Sequence, residues 1–397
     1  IARHDGAEEG QYRFVGGGRQ QTKGFSGGAI TDLEGLERTV RLALEDAERQ
    51  AGERIDSVYM AVSGPKVACR LASAAIDLGS RPVGARDVSR VLSAAMSKDV
   101  DKTQDVLSAD TVAFKIDDQD GVRDPRGLHG RRLGSLVSVA SAPKTLMRNL
   151  EECLVRADLK ITGVAPAPLA AAAGVLVQDE IENGAICVDM GAGLTSACVY
   201  INGGPAWIGC APSGGRHVTS DIAQGVGTTF AAAERLKILH GSVDPDGPGS
   251  AERIEAPRLG DDGRLEAARM SKGDLASIIA PRIEETFELL QRVLDQSDLR
   301  RVLPRRIVLT GGASQIKGAK EVAARVFRAP VRLARPVSAD ILGEAHAGPA
   351  FSTAAGLLSL CSQGPTEAMR AGRALGGAGD GDAGIVNRTY VWLKENF

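Results

Sequence analysis

Neither sign of charge is in excess in this chain. Lys+Arg 48 against Asp+Glu 50 leave a formal −2, and no global basic field draws it to nucleic acid. It has no run of about 18 apolar residues, so nothing in it reads as a bilayer-crossing helix. No C-x-x-C pair occurs either. The 6 cysteines (Cys69, Cys153, Cys187, Cys198, Cys210, Cys361) are scattered, and the 5 histidines stand apart from them and from one another, which supplies no zinc-ligand spacing. Such cysteines read as small buried apolar residues in a reducing compartment. Glycine is abundant, 48 residues, yet shows no G-x-y period and no long Gly/Ser tract. Collagen-like structure and wholesale disorder are thereby excluded. The start, Ile1-Ala-Arg-His, has no apolar signal segment and no initiator methionine, so the native chain is expected to extend upstream.

What is present is an ordinary globular composition, 43% hydrophobic and 25% charged over 397 residues, enough for two or three domains at roughly 150 residues each. Residues 11–18, QYRFVGGG, read as the second arm of a hairpin whose first arm precedes Ile1. Thr31 or Asp32 caps a periodic helix (Leu33, Leu36, Val40, Leu44, Ala47), and a strand follows at 57–62. From about 66 to 138 the pattern changes to strand, short helix, strand, turn-rich stretch and strand, a compact α+β insertion. Past a helix at 143–157 and a strand and Ala-rich helix at 161–177, Ile186-Cys-Val-Asp-Met opens three strands, the last two joined by the Asn202-Gly203-Gly204 turn, a hairpin signal. Helices are expected around 217–225 and 228–240, turns and short strands at 243–274, and an amphipathic helix at 274–296. A buried strand at 306–309, a helix near 351–361, a Gly-rich linker at 364–384 and a short amphipathic segment at 385–397 complete the chain.

Three constellations carry chemistry. In 186–195, ICVDMGAGLT, a strand delivers Asp189 to a glycine turn and the chain returns as a strand. Gly191 and Gly193 allow close backbone approach to a phosphate, and an aspartate at a strand end can hold a Mg²⁺-bound water. An ordinary hairpin turn is the competing reading. In 307–318, IVLTGGASQIKG, a buried strand ends in Gly311-Gly312 ahead of a helix start, which suits a base or ribose laid against bare backbone, or simply a turn that needs glycine. Glu234 and Lys237 share one helix face; they either flank a nucleoside or form a surface ion pair.

In this order the elements resemble the second half of the actin/Hsp70/sugar-kinase superfamily. With SVYMAVSG (57–64), GGRHVTSDIAQGVGTTFAAAERLKILHG (214–241), LTGGASQIKG (309–318), STAAGLL (352–358) and WLKENF (392–397), the chain resembles the FtsA family of bacterial actin-like cell-division proteins from about residue 13 to Phe397. The resemblance implies an α/β, actin-like (ribonuclease H-like) two-domain ATPase fold with an α+β insertion and a C-terminal amphipathic helix. Its subdomains would be 1A (1–65, 139–182 and 346–363), 1C (66–138), 2A (183–240 and 304–345) and 2B (241–303), followed by the linker 364–384 and a membrane-targeting helix 385–397. ATP and Mg²⁺ are the implied ligands. Asp189, Gly191, Ala192, Gly193, Leu194 and Thr195 would form the second phosphate motif, with Asp189 toward the metal. Gly214 and Gly215 precede the next helix, Glu234 and Lys237 would contact ribose and base, and Gly311, Gly312, Ala313 and Gln315 the adenosine. Asp221 is a second candidate for a magnesium or water contact.

Departures from the family pattern shape the expected activity. The superfamily's first phosphate hairpin would lie before Ile1, Leu194 and Ser196 stand where related motifs carry Thr and an acid, and Ala165-Pro-Ala-Pro168 offers no group to orient an attacking water. Weak or absent ATP hydrolysis is therefore expected. On a helical wheel Val386, Tyr390, Leu393 and Phe397 form one stripe with Trp392 on its flank, an amphipathic edge suited to a membrane interface. Docking of that helix on protein is the alternative. The resemblance implies self-association into filaments, binding of the FtsZ C-terminal tail near Arg282 and Arg292, other division proteins as partners, and a peripheral place on the cytoplasmic face of the inner membrane at the division site. A PilM-like pilus scaffold or a small-molecule kinase are the other classes this superfamily admits.

Overall fold

A computed structural model of the chain describes residues 1–4, 12–79, 81–98, 101–337, 342 and 346–376. The chain opens with β1 (Ala2–His4), β2 (Tyr12–Phe14), β3 (Phe25–Ser26), β4 (Ala29–Ile30), α1 (Leu33–Ala51) and β5 (Ser57–Val62). An inserted unit follows: β6 (Ala68–Asp77), α2 (Ala85–Ser97), β7 (Gln104–Ile116), β8 (Gln119–Val122) and β9 (Arg132–Pro143). Next come α3 (Lys144–Arg156), β10 (Lys160–Pro166), α4 (Ala167–Val175), α5 (Gln178–Asn183), β11 (Ala185–Met190), β12 (Thr195–Ile201) and β13 (Gly204–Ala211). Helices α6 (Gly215–Val226) and α7 (Phe230–His240) precede β14 (Arg253–Glu255), β15 (Arg258–Leu259), β16 (Leu265–Glu266), β17 (Arg269–Ser271) and α8 (Lys272–Asp295). The remainder is β18 (Ile307–Thr310), α9 (Ala319–Phe327), β19 (Val331–Leu333), α10 (Ser352–Gln363) and α11 (Glu367–Gly376).

The sheet that organises the site has the order β13-β12-β11-β18-β19. Strands β11, β18 and β19 run parallel, while β12 and β13 fold back antiparallel through the expected turn, where Asn202 and Gly203 take φ 55° and 90°, the left-handed pair such a tight hairpin needs. Because side chains alternate across a strand, Ile186, Val188 and Met190 of β11 join a core with Val218 and Ile222 of α6 and Ile279, Ile283 and Phe287 of α8. Cys187 points the other way, into a second core with Leu169, Ala172 and Val175 of α4 and Val62 of β5. The sheet is thus buried on both faces, as parallel strands require.

Two glycines bring α4 and α10 into close contact. A Cβ at Gly174 would overlap the Ser352 carbonyl, and one at Gly356 would overlap that of Ala170. Helices α4 and α10 therefore cross backbone against backbone, and this contact sets the N-terminus of α10 over the strand ends of the central sheet.

The inserted unit is a sheet of order β6-β9-β7-β8 whose one face packs on α2 through Val88, Val91, Leu92, Ala109, Leu133 and Val137. Two expectations fail here and at the N-terminus. The hairpin arm placed before Ile1 is β1 itself, paired antiparallel with β2 in the register Ala2↔Phe14 and His4↔Tyr12. Strands of three residues each gave too little periodicity to be read. The segment 364–384 does not begin as a linker: α11 occupies Glu367–Gly376 and buries Ala368, Met369 and Ala371 in the core of the insertion. Glycine-rich composition concealed a small apolar helix face. Residues 377–384, and the amphipathic stretch carrying Val386, Tyr390, Trp392, Leu393 and Phe397, lie outside the described residues.

Candidate functional site

The parallel register of β11 and β18 puts Asp189 opposite Thr310, so the two glycine bends that leave these strands emerge side by side. Gly311 has φ 89°, and a Cβ there would overlap Asp189 Oδ1 and stand 2.5 Å from the Met190 carbonyl oxygen. Only glycine fits. The third glycine pair closes on the same place. The Gly215 and Arg216 amides donate to the Gly191 and Ala192 carbonyls at 3.0 and 2.7 Å, and a Cβ at Gly214 would stand 2.6 Å from Gly191 O. Ala313 lies against Gly215, where an added Cβ would be 3.1 Å from it. Three glycine-lined bends from distant parts of the chain thus converge, leaving bare backbone at the N-terminus of α6.

Asp189 sits at the floor of this convergence. Its Oδ2 accepts a hydrogen bond from Thr353 Oγ1 at 3.1 Å. The residue keeps some surface open to water, yet the carboxyl is hemmed in by protein, and that burial pushes its pKa above the ordinary aspartate range, with the Thr353 hydroxyl opposing the rise. A cation beside it would restore the carboxylate. Among the described residues no three His, Cys, Asp or Glu side chains gather to hold a metal by themselves. A lone carboxylate next to bare backbone nonetheless fits Mg²⁺, which is usually held by one or two carboxylates together with substrate phosphates and waters.

Glu234 and Lys237 of α7 reach the same bends. Lys237 Nζ donates to Gly215 O at 3.0 Å, Thr219 Oγ1 at 2.8 Å and Glu234 Oε2 at 2.7 Å, and Thr219 donates to the same Glu234 oxygen. The pair is therefore more than a surface ion pair: only 12% of the Lys237 side chain is exposed, and its ammonium fixes the first turn of α6. Thr195 faces inward and donates to Ser213 O at 2.8 Å. Leu194 contributes its carbonyl, which accepts from the Gly191 amide at 2.9 Å. Gln315 is exposed beside Gly312, its Nε2 donating to the Gly312 carbonyl at 3.3 Å.

Two expected site residues are engaged elsewhere. Asp221, read as a metal or water contact, and Arg282, read as a docking cation, are each other's partner: Arg282 Nε and Nη2 donate to the two Asp221 oxygens at 2.5 and 3.0 Å. The reason is helix phase, which turns Asp221 toward α8. Arg292 is exposed, with Glu288 on its own helix at 3.6 Å. Other participants went unread in the sequence. Thr353 lies 164 positions from Asp189. Ser352 Oγ meets Thr310 Oγ1 at 2.6 Å, and Gly27 faces Gly193, whose Cβ would stand 3.9 Å from its amide nitrogen. No local spacing signals such contacts, although STAAGLL did mark the segment. An apolar cavity of about 590 Å³, lined by residues such as Phe14, Leu36, Tyr59, Leu154 and Phe351, shares none of the glycine-bend residues.

The family model described as "Cell division protein FtsA" matches residues 186–356, and the one described as "SHS2 domain inserted in FTSA" matches 64–141, the inserted sheet with α2. The cell division protein FtsA of Agrobacterium fabrum is 36% identical over 384 residues, 97% of this chain and 87% of that protein. That of Rhizobium meliloti is 37% identical over 383 residues, 96% and 86%, and that of Escherichia coli 33% over 357 residues, 88% and 84%. Among solved structures, a PilM–PilN type IV pilus biogenesis complex aligns with a TM-score of 0.57 at 16% identity, covering 87% of this chain and 90% of that one. At that identity the likeness shows an actin-like fold and nothing about pili.

Proposed function

Since the chain belongs to the FtsA family of cell-division proteins, we propose that its glycine-lined bends close on ATP with Mg²⁺ and that nucleotide sets the closure of the two halves. The observation that supports this most directly is the Asp189–Thr310 register, which brings the 190–194 and 310–312 bends into contact beneath the Gly214-Gly215 pair. Bound Mg²⁺ would neutralise phosphate charge and offset the buried Asp189 carboxylate. The chain's own residues do the rest. Backbone at Ala192–Gly193 takes the phosphates, Gly214 leaves them room to approach, the N-terminus of α6 favours their charge, Lys237 and Glu234 hold that helix start beside the nucleoside, and Gly311–Ala313 give the adenosine a flat wall.

Hydrolysis is weak in this reading. The β10–α4 junction presents Ala165, Pro166, Ala167 and Pro168, none with a side chain that can orient water, and such a group is worth orders of magnitude in rate. The protein's work is mechanical: it polymerises at the division site and tethers FtsZ filaments to the cytoplasmic membrane through the segment 385–397, with filament avidity multiplying weak anchors. Arg292 is the exposed cation on α8 suited to an acidic FtsZ tail. Subdomains 1A, 1C, 2A and 2B divide the chain between the two halves of the cleft. Two measurements test it. ATP affinity by calorimetry should fall at least about tenfold in Asp189→Ala; an unchanged affinity removes the nucleotide site. Co-sedimentation with anionic liposomes should disappear when 385–397 are deleted, and persistent binding would remove the tether.

A further inference from the structure

The residue that fixes the metal-facing carboxylate comes from the far end of the chain. We infer that Thr353 is a positioning residue for Asp189, and that the Ser352-Thr353 pair at the N-terminus of α10 holds the phosphate floor in register; the inference rests on the nucleotide reading above. Asp189 Oδ1 is pressed against Gly311, and Oδ2 accepts from Thr353 Oγ1 at 3.1 Å. A carboxylate on a strand end with one face open would otherwise exchange rotamers. The hydroxyl that pins it is itself fixed in two ways. Ser352 Oγ, 1% exposed, meets the fully buried Thr310 Oγ1 at 2.6 Å, and Thr310 also donates to Ala334 O at 3.2 Å. Below this, the Gly174 and Gly356 contacts lock α10 against α4. Thr353 therefore cannot shift without moving the end of β18. Thr353 touches neither nucleotide nor metal in this scheme; it acts through Asp189, as an outer partner acts on a ligand.

Calorimetry on the full chain tests this with ATP plus Mg²⁺ and with ATP plus chelator. Thr353→Val keeps the shape and removes the hydroxyl. Its affinity for Mg·ATP should fall about tenfold or more, while metal-free ATP binding stays within about twofold and the melting temperature is unmoved. Thr353→Ser should restore the wild-type affinity. A Thr353→Val protein that binds Mg·ATP like wild type, or that loses metal-bound and metal-free ATP equally, overturns the assignment. Asp189→Asn separates the two levels. If it too leaves Mg·ATP binding unchanged, the nucleotide reading fails and takes this inference with it. If Asp189→Asn weakens binding and Thr353→Val does not, only the positioning role fails.

Discussion

Raising the pH should loosen the attachment of the inserted unit, because its carboxyl at Asp110 meets no cation among the described residues. Asp110 lies on β7 opposite Ser138 of β9, whose hydroxyl meets Cys69 Sγ at 3.0 Å. Burial pushes the Asp110 carboxyl up to about 7 from 3.8, and a hydrogen bond with Ser108 opposes this only partly. The ionisable groups that feel its charge are Cys69 on β6 and Cys198 and Tyr200 on β12, all neutral near pH 7. Below pH 3.8 the folded and unfolded states are both protonated and nothing is lost. Between 3.8 and about 7 the folded state holds the extra proton, so stability falls as pH rises, and above about 7 the loss is constant. Linkage gives roughly 1.7 kcal/mol of cost at pH 5 and roughly 4 kcal/mol at pH 8. Both are upper bounds, since Asp110 keeps partial exposure and water shares the charge. Asp110→Asn removes the titration while retaining a polar side chain. In urea denaturation the variant should gain stability over wild type between pH 5 and pH 8, by up to about 2.5 kcal/mol. A difference that does not change with pH would refute the reasoning, whatever its size.

Other substitutions report on separate parts of the molecule. Asp87, 2% exposed, is capped by Arg81 through two 2.6 Å bonds and by the Gly84 amide at 3.0 Å, which hold its carboxyl down at about 2. That contribution is present above the ordinary aspartate pKa and lost as pH falls through about 2, so Asp87→Asn should flatten the acid limb of a melting-temperature profile. Gly311→Ala forces a side chain at φ 89° onto Asp189, and ATP binding should drop more than melting temperature does. The Asp221–Arg282 pair is partly exposed on both sides, 26% and 28%; a double-mutant cycle with alanine should return a coupling of about 1 kcal/mol or less. A Cβ at Gly372 would stand 3.3 Å from Met96 Cβ, close to disulfide spacing. Met96→Cys with Gly372→Cys should therefore cross-link α11 to α2 on oxidation and slow hydrogen exchange in both helices; failure to cross-link would mean that α11 does not rest on α2 in solution.

Much of the fold was legible because it is written in local periods. The strand Ala185–Met190 reads as a buried run ending in glycine, and the Asn-Gly turn announces the β12–β13 hairpin. Helix α8 carries both a capping box, Ser271 with Asp274, and a long apolar stripe. Such signals survive without tertiary context because each is complete within one or two turns of chain. What failed was short or compositionally disguised. The three-residue strands β1 and β2 have no measurable period, and α11 buries two alanines and one methionine, too little hydrophobicity to stand out from the glycines around it.

The site divides along the same line. Glycines at Gly191, Gly214 and Gly311 were readable because a bend without side chains is a sequence-local requirement, whatever it faces. Their convergence was not readable from any one of them. It follows from the pairing of β11 with β18 across more than a hundred residues of intervening chain. Charged side chains are the least legible class, since their role depends on what arrives opposite them. Asp221 could have faced a metal, but the α6–α8 packing brings Arg282 to it first at 2.5 Å. Among the described residues no cation pairs with Asp189, whose Oδ1 abuts Gly311 and whose Oδ2 accepts from Thr353 Oγ1. In this cleft a carboxylate stays available for a ligand only where the chain withholds a cation. Locating such a residue requires knowing which distant segments supply no positive charge, and a periodicity search on a single strand contains no such information.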